Sequence, residues 1–256
     1  MEPNKSLGQH WLEDQASIDS IIDYSNLNST ETVLEIGPGK GALTEYLLAK
    51  VDNVVAVEFD ENLAKQLPGR FQTTKLKVFN EDCLKFDYTT LPKDFKVVAN
   101  IPYYLTSNLL RVLSENANPP KDIILLIQNE VAERVAANPG KMSILGVTVQ
   151  YFYKAELGPV INADKFYPIP KIDSQVVKLT RHSQPLFSDV DKDKFFKIVK
   201  AGFLQKRKKL HTSLSSGLMI PKVEAQKILD KAGVDGNLRP QELSLDQWYQ
   251  IYKSIN

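Results

Sequence analysis

Short apolar runs alternate with helix-like spacing over the first two thirds of the chain. Five runs of three to six residues, each bounded by polar residues, are typical of buried strands: residues 32–36, 54–57, 76–79, 97–99 and 122–127. Between them, apolar residues recur three and four positions apart, as in Ile18, Ile21 and Ile22, in Leu43 and Leu47, and in Leu109 and Leu113. This alternation predicts an α/β fold with a largely parallel sheet.

Toward the end of the chain, helical spacing of apolar residues continues while the strand patterns end. Residues 128–135 and 144–152 are predicted helices, and residues 175–179 alternate like a strand that closes the sheet as an antiparallel edge. After a polar break at residues 182–193 only helical patterns follow, including residues 194–209. We therefore predict a ligand-binding catalytic domain over residues 1–184 and a small all-helical domain over residues 185–256.

Four successive predicted strands end in residues suited to a nucleotide-type ligand. Gly37 opens a glycine-rich loop that leads into a helix, so backbone can approach a ligand and free N–H groups are available. Glu58 lies about 20 positions further on and can accept both ribose hydroxyls of an adenosine. Asp82 and Asn100 follow the next two strands. Asp82 alone could be a solvated loop carboxylate, and the first two features occur in nicotinamide-dependent oxidoreductases as well as in methyltransferases.

The segment Asn100-Ile101-Pro102-Tyr103 has the chemistry to bind a planar base with an exocyclic amino group. Pro102 fixes its own φ and pushes Ile101 into an extended conformation, so carbonyls and the Asn100 amide can converge. Tyr103 offers a flat ring for stacking. The structural alternative is a simple Asn-Pro turn with Tyr103 in the core. A stiff loop with two prolines, residues 166–174, could hold Phe166 or Tyr167 at the mouth of the site.

Charge and composition narrow the possible partners. The 256 residues carry a net charge of +1, and the pI is about 7.7, below the range of about 9 usual for whole nucleic-acid-binding domains. Any such binding therefore needs a local patch, and the densest basic run is its candidate: Lys206, Arg207, Lys208 and Lys209. An ordinary solvated surface is the alternative for that run.

The cysteine and histidine content and the length of the apolar runs exclude several kinds of site and several classes of protein. Cys83 is the one cysteine, so an intramolecular disulfide is excluded and a thiolate zinc site is implausible; we expect a buried, inert thiol. The three histidines show no metal-ligand spacing, and no metal site is predicted. No apolar run approaches the roughly 20 residues that span a bilayer, and the start has no signal-peptide pattern. We expect a cytoplasmic protein without membrane contact.

Four motifs in order along the chain resemble the rRNA adenine N6,N6-dimethyltransferase family: Lys5-Ser6-Leu7-Gly8-Gln9, Glu35-Ile36-Gly37-Pro38-Gly39-Lys40-Gly41, Asn100-Ile101-Pro102-Tyr103 and Pro170-Lys171-Ile172-Asp173-Ser174. Within the family, residues 128–134, 203–210 and 238–244 resemble the housekeeping small-subunit enzymes. The resemblance implies a Rossmann-like class I methyltransferase sheet with a small C-terminal all-helical domain that binds rRNA.

Site roles follow from the resemblance residue by residue. It implies S-adenosyl-L-methionine contacts at His10, Leu12, Gly37, Glu58, Asp82 and Asn100. It also implies a target-adenine site made of Asn100, Pro102 and Tyr103, with Phe166 as a second stacking plate. The chain departs from the family at three positions, where the family usually has Asn for His10, Phe for Trp11, and Asn or His for Tyr104.

The implied reaction is methylation at N6 of two adjacent adenosines near the 3′ end of small-subunit (16S) rRNA, giving N6,N6-dimethyladenosine during ribosome biogenesis. The implied partners are that rRNA and its pre-ribosomal particle, and we expect a monomer. Two alternatives stay open: a large-subunit rRNA adenine methyltransferase, and a non-catalytic nucleic-acid-binding factor on the same fold. An intact Asn100-Ile101-Pro102-Tyr103 argues against the second.

Overall fold

The computed structural model describes residues 7–255, so Lys5 and Ser6 of the first motif lie outside the described residues. The chain forms two units, each described by itself below. The first contains Met1–Ala132 and Tyr153–Arg181, and the second contains Glu133–Phe152 and His182–Asn256. These units differ from the predicted boundary after residue 184 mainly because residues 133–152 group with the helical part of the chain. The division of functions between two domains stays a prediction.

A seven-stranded sheet is the centre of the first unit. Its strands are β2 (Thr32–Ile36), β3 (Asn53–Glu58), β4 (Leu76–Asn80), β5 (Lys96–Asn100), β6 (Asp122–Gln128), β7 (Tyr153–Ile161) and β9 (Ser174–Arg181), in the order β4-β3-β2-β5-β6-β9-β7. The five strands from β2 to β6 pair in parallel, as predicted. The strand order reverses between β2 and β5, and ligands of open α/β sheets bind at the carboxyl ends beside such a reversal.

The antiparallel end of the sheet, beyond β6, differs from one prediction. Residues 175–179 do lie in an antiparallel strand, but β9 pairs with both β6 and β7 and is therefore not an edge. The edge strand is β7, whose register shifts between Leu157 and Val160. Gly158 and Pro159 lie at this irregularity, and both residue types are rare in regular strands. The sequence pattern therefore contains no strand signal there.

Helices α1 (Gln15–Ser25), α2 (Ala42–Lys50), α3 (Glu61–Phe71) and α4 (Thr106–Glu115) also belong to the first unit. Ile18, Ile21 and Ile22 of α1 are buried in one core cluster with Val33 and Val98 of the sheet. This agrees with the predicted apolar face of α1. Such packing, rather than helix propensity, supplies most of the stability of short helices.

A two-residue ladder holds the start of the described chain against the same unit. β1 (Trp11–Leu12) pairs with β8 (Phe166–Tyr167) in antiparallel fashion, with Trp11 opposite Tyr167 and Leu12 opposite Phe166. Side chains alternate across a strand, so Phe166 is buried whereas Tyr167 is half exposed. The ladder joins segments more than 150 residues apart, and a pattern of two residues cannot predict it.

The second unit contains the helices α6 (Ile144–Phe152), α7 (Lys192–Phe203), α8 (Leu210–Leu218), α9 (Lys222–Ala232) and α10 (Leu245–Ile255), while α5 (Asn129–Val135) runs from the first unit into it. Its core surrounds Trp248, against which Gly202 packs so closely that an added Cβ would lie 2.3 Å from the indole. Residues 204–209 are a turn between α7 and α8, which corrects the predicted continuous helix over residues 194–209. No described helix is both long enough and apolar enough to cross a membrane.

Candidate active site

A cavity of about 520 Å³ lies at the carboxyl ends of the parallel strands. This volume is in the usual range for small-molecule sites. Every predicted site residue of the first unit except Phe166 lines it: His10, Leu12, Gly37, Glu58, Asp82, Asn100, Pro102 and Tyr103. Strand tips predicted separately therefore meet around one space.

The glycine loop leaves open backbone on the cavity wall. Gly37 has φ +65°, and nothing lies within 4 Å of the place where its Cβ would be. Its N–H donates to the Val57 carbonyl at 2.9 Å, which ties the loop to β3. At Gly41, with φ +86°, an added Cβ would lie 2.7 Å from the Phe71 ring. Glycine is thus required at Gly41 by conformation and by packing, while Gly37 leaves room for a ligand.

Glu58 is fixed beside that loop. Its side chain accepts the Gly39 N–H at 3.0 Å through Oε2 and the Asp60 N–H at 2.9 Å through Oε1. The residue is 5% exposed, and burial raises the pKa of its carboxyl while the N–H bonds oppose that rise. The bonds hold both oxygens in place next to the cavity. Each oxygen has a further lone pair available for ligand hydroxyls.

Glu35 is a cavity-lining residue that sequence reasoning did not single out. It is buried in β2, and the Thr44 hydroxyl donates to its Oε2 at 2.6 Å. Burial raises the pKa of Glu35 to about 8, the Thr44 bond lowers it, and the charge of Glu58 raises it further. Glu35 is therefore largely protonated at neutral pH, so Glu58 does not face a second negative charge. An acidic residue inside an apolar strand was the signal in the sequence.

Asp82 lies after β4 and is half buried. Its Oδ1 accepts the Leu84 N–H at 2.9 Å, which holds the carboxylate in position and leaves Oδ2 for a donor. Cys83 beside it is a buried free thiol. Burial and the charge of Asp82 raise the pKa of Cys83 to about 12, so the thiol stays protonated and unreactive, as predicted.

Asn100 and the turn after it form the opposite wall. The Asn100 Nδ2 donates to the His10 carbonyl at 3.3 Å, and its Oδ1 is an acceptor. The Pro102 carbonyl accepts the Leu105 N–H at 3.0 Å and keeps its second lone pair. Two acceptor oxygens thus belong to one short turn. Their convergence on one base stays a prediction.

Tyr103 is anchored at its hydroxyl, and its ring stacks with one other ring. The hydroxyl and the Ser174 Oγ are 2.9 Å apart, and burial raises the pKa of the phenol. The His10 ring stacks on Tyr103 with centroids 5.6 Å apart and planes 22° apart. His10 is itself held by a bond of 2.6 Å from its Nδ1 to the Pro168 carbonyl. Tyr103 is therefore a positioned ring at the cavity rather than a core residue.

The structure corrects the expected position of Phe166. The side chain is 4% exposed, packs in the core of the first unit opposite Leu12, and does not line the cavity. The ladder between β1 and β8 causes this, because it directs Phe166 inward and Tyr167 outward. The ring that stacks on Tyr103 in this structure is His10.

The predicted basic run belongs to the second unit, where it forms an exposed segment that we call the basic turn: Lys206, Arg207, Lys208 and Lys209. The Lys209 Nζ donates to the Asn237 Oδ1 at 2.7 Å. None of the four forms an ion pair with a carboxylate of residues 7–255. Lys209 nevertheless acts on a nearby carboxylate: hydrogen bonds from Asn237 lower the pKa of Asp235, and the charge of Lys209 contributes to lowering it.

Comparisons with known proteins agree with this arrangement. The family model described as "Ribosomal RNA adenine dimethylase" matches residues 1–256. Ribosomal RNA small subunit methyltransferase A of Dehalococcoides mccartyi (strain CBDB1) is 35% identical over 259 residues, which cover 98% of this chain and 88% of the relative.

Two crystal structures have the same fold over nearly the whole chain. A dimethyladenosine transferase from Plasmodium falciparum has a TM-score of 0.81 at 26% identity, covering 94% of this chain and 95% of the other. The 23S rRNA methyltransferase ErmE has a TM-score of 0.78 at 27% identity, covering 95% and 98%. The predicted Rossmann-like methyltransferase fold is confirmed.

Proposed function

The chain belongs to the ribosomal RNA adenine dimethylase family, and we propose that it dimethylates N6 of two adjacent adenosines near the 3′ end of small-subunit (16S) rRNA with S-adenosylmethionine as the methyl donor. The observation that carries this proposal is one cavity that joins Gly37, Glu58 and Asp82 to the Asn100–Tyr103 turn. One side of the cavity suits an adenosine cofactor, and the other suits a target base.

The residues present fit the cofactor. Glu58 has fixed oxygens for ribose hydroxyls, and Asp82 has a free oxygen for the amino group of an adenine. The open space at Gly37 admits a ligand against the backbone. His10, Leu12 and Asn100 complete the proposed cofactor wall from the N-terminal segment and from β5.

Methyl transfer to an adenine amine requires little acid–base chemistry from the protein. When bound, S-adenosylmethionine supplies a methyl group on a sulfonium, an electrophile that an amine nitrogen can attack directly. The Asn100 Oδ1 and the Pro102 carbonyl accept the N6–H bonds of the target, which favours the pyramidal, nucleophilic form of an amine otherwise delocalised into its ring. Holding the amine in place contributes the remaining acceleration through proximity.

A neutral amide at Asn100 suits two successive methylations. Its oxygen can accept a hydrogen bond from an amino group and later from a methylamino group, without the charge that a carboxylate would add. The released proton can pass to water, because an N-methylated adeninium amine is strongly acidic. Tyr103, held through its hydroxyl by Ser174, provides the stacking surface for the base.

RNA binding is proposed for the second unit. The basic turn is exposed and forms no ion pair with a carboxylate of the described residues, which suits contacts to a phosphate backbone. We propose that residues 185–256 are the rRNA-binding domain, that the substrate is the small-subunit pre-ribosomal particle, and that the protein acts in the cytoplasm as a monomer. The choice of the small-subunit particle extends the family's rRNA adenine dimethylation to a particular substrate.

Two measurements test the proposed function. Calorimetric titration should detect binding of S-adenosylmethionine and no binding of a nicotinamide dinucleotide; the reverse result would support an oxidoreductase. Labelled cofactor is then incubated with small and large ribosomal subunits from cells that lack the modification. Label should enter the small-subunit RNA. Label confined to the large subunit would favour the second candidate, which the similarity to the 23S enzyme supports, and binding without label would indicate a non-catalytic factor.

A further inference from the structure

Trp11 carries an orphaned hydrogen-bond donor at the wall of the cavity. The side chain is 8% exposed, and its Nε1 has no acceptor among the described residues. Trp11 lines the cavity next to the glycine loop, where a Cβ added to Gly39 would lie 3.4 Å from that nitrogen. Buried indole N–H groups usually find a partner, because a desolvated donor left unpaired is unfavourable. Because Trp11, unlike a core tryptophan, lines the cavity, we expect a bound ligand to supply the missing acceptor.

A positive charge lies over the same ring. The Lys40 Nζ is 3.8 Å from the centroid of the Trp11 ring, a cation–π contact. Lys40 is only loosely held, since its ion pair with Glu13 spans 3.6 Å and both side chains are well exposed. A donor and a cation at one place favour an anionic acceptor.

We infer that the Trp11 N–H binds the carboxylate of S-adenosylmethionine, with Lys40 adding charge at the same group. This inference rests on the proposed function and deepens it. Glu58 and Asp82 are acceptors suited to the ribose hydroxyls and the adenine amino group, so neither can bind the anionic end of the ligand. The carboxylate is the anionic group of the cofactor. The Nε1 is shielded from water in this structure, so the bond requires the groups that cover it to shift.

A ligand series combined with one substitution tests this assignment. Trp11→Phe removes the N–H and keeps an aromatic ring beneath Lys40. S-adenosylmethionine is compared by calorimetry with decarboxylated S-adenosylmethionine, which lacks only the carboxylate. A hydrogen bond to a charged group is strong, so the loss of one such bond in Trp11→Phe should raise the Kd of S-adenosylmethionine at least about ten-fold. The Kd of the decarboxylated ligand should not change.

The chain offers a matched control in Trp248, the other tryptophan. Its Nε1 is also buried without a partner, but it lies in the core of the second unit. Trp248→Phe should leave the Kd of both ligands unchanged. In that variant Trp11 is the one remaining tryptophan, and its fluorescence should respond to S-adenosylmethionine more than to the decarboxylated ligand. Thermal unfolding of each variant verifies that it is folded. Lys40→Met, which keeps an aliphatic side chain in the loop, should weaken the binding of S-adenosylmethionine but not that of the decarboxylated ligand.

The outcomes separate the inference from the proposed function. An equal loss of affinity for both ligands in Trp11→Phe would assign Trp11 to packing, or to a donor for the nucleoside, and would overturn the inference. Unchanged affinity for both ligands would also overturn it. In either case, binding of S-adenosylmethionine by the wild type leaves the proposed function intact. A wild-type protein that binds neither ligand would contradict both.

Discussion

Replacing Glu35 with glutamine should change how the stability of the protein depends on pH. Burial raises the pKa of the Glu35 carboxyl to about 8 in the folded protein, from 4.5 for an ordinary glutamate. Between these values the folded chain holds a proton that the unfolded chain releases. Folding stability from this group is therefore fully present below pH 4.5 and is lost as the pH rises through 8. Glutamine keeps the shape and an acceptor for Thr44 but does not titrate.

The size of the effect follows from the difference between the folded and unfolded pKa values of Glu35. A pKa difference of one corresponds to about 1.4 kcal/mol, so a rise from 4.5 to about 8 corresponds to roughly 5 kcal/mol between the ends of the range. The slope should be steepest between pH 5 and pH 7.5. Solvent screening does not reduce it much, because the side chain of Glu35 is buried.

Urea unfolding followed by circular dichroism at half-unit steps from pH 5 to pH 8.5 measures this slope. The free energy of unfolding of Glu35→Gln minus that of the wild type should rise with pH across the range, since titrating groups that do not interact with Glu35 cancel in the difference. Thr44→Val provides a second comparison: it removes the hydrogen bond that lowers the pKa of Glu35, so the decline should extend to higher pH. Parallel profiles for wild type and Glu35→Gln would refute the reasoning.

Three further predictions concern stability, base stacking and RNA binding. Lys96→Met should destabilise the protein by about 3–5 kcal/mol in urea unfolding, because Lys96 is buried between the carboxylates of Glu31 at 3.0 Å and Asp122 at 3.5 Å. Lys65 is exposed, so the control variant Lys65→Met should change stability by less than about 0.5 kcal/mol. Equal effects of the two substitutions would contradict this prediction. Tyr103→Ala should weaken RNA substrate binding by roughly 1–3 kcal/mol with little change in cofactor Kd, and an equal loss of cofactor affinity would make Tyr103 structural. Neutralising the basic turn with glutamines should lower RNA affinity and flatten its dependence on salt, whereas an unchanged salt slope would assign the turn to ordinary surface.

The parallel strands and the position of the cavity could be predicted from the sequence because both depend on local patterns. Strands β2, β3, β5 and β6 are mostly buried runs, and parallel strands bring their carboxyl ends to one edge. The expectation of a buried strand is wrong for β4, which lies at the edge of the sheet and has no buried residue. Gly37, Glu58, Asp82 and Asn100 each follow a predicted strand, so their meeting could be predicted without any knowledge of distances.

The remaining features depend on contacts between distant segments. The ladder of Trp11 with Tyr167 is too short to leave a periodic signal, and it decides that Phe166 points into the core. The stacking of His10 on Tyr103 follows from the same ladder and from the bond of His10 to Pro168. The protonation of Glu35 depends on the desolvation of a whole strand, which residue identity alone does not determine.

The chemical identity and the position of the methylated product test the proposed dimethylation directly. Small ribosomal subunits from cells that lack the modification are incubated with the protein and S-adenosylmethionine, and the RNA is digested and mapped by mass spectrometry, with Asn100→Ala as the inactive comparison. We expect N6,N6-dimethyladenosine at two adjacent positions near the 3′ end of the small-subunit rRNA, and none with Asn100→Ala. Unmodified small-subunit RNA, or methylation confined to large-subunit RNA, would contradict this expectation.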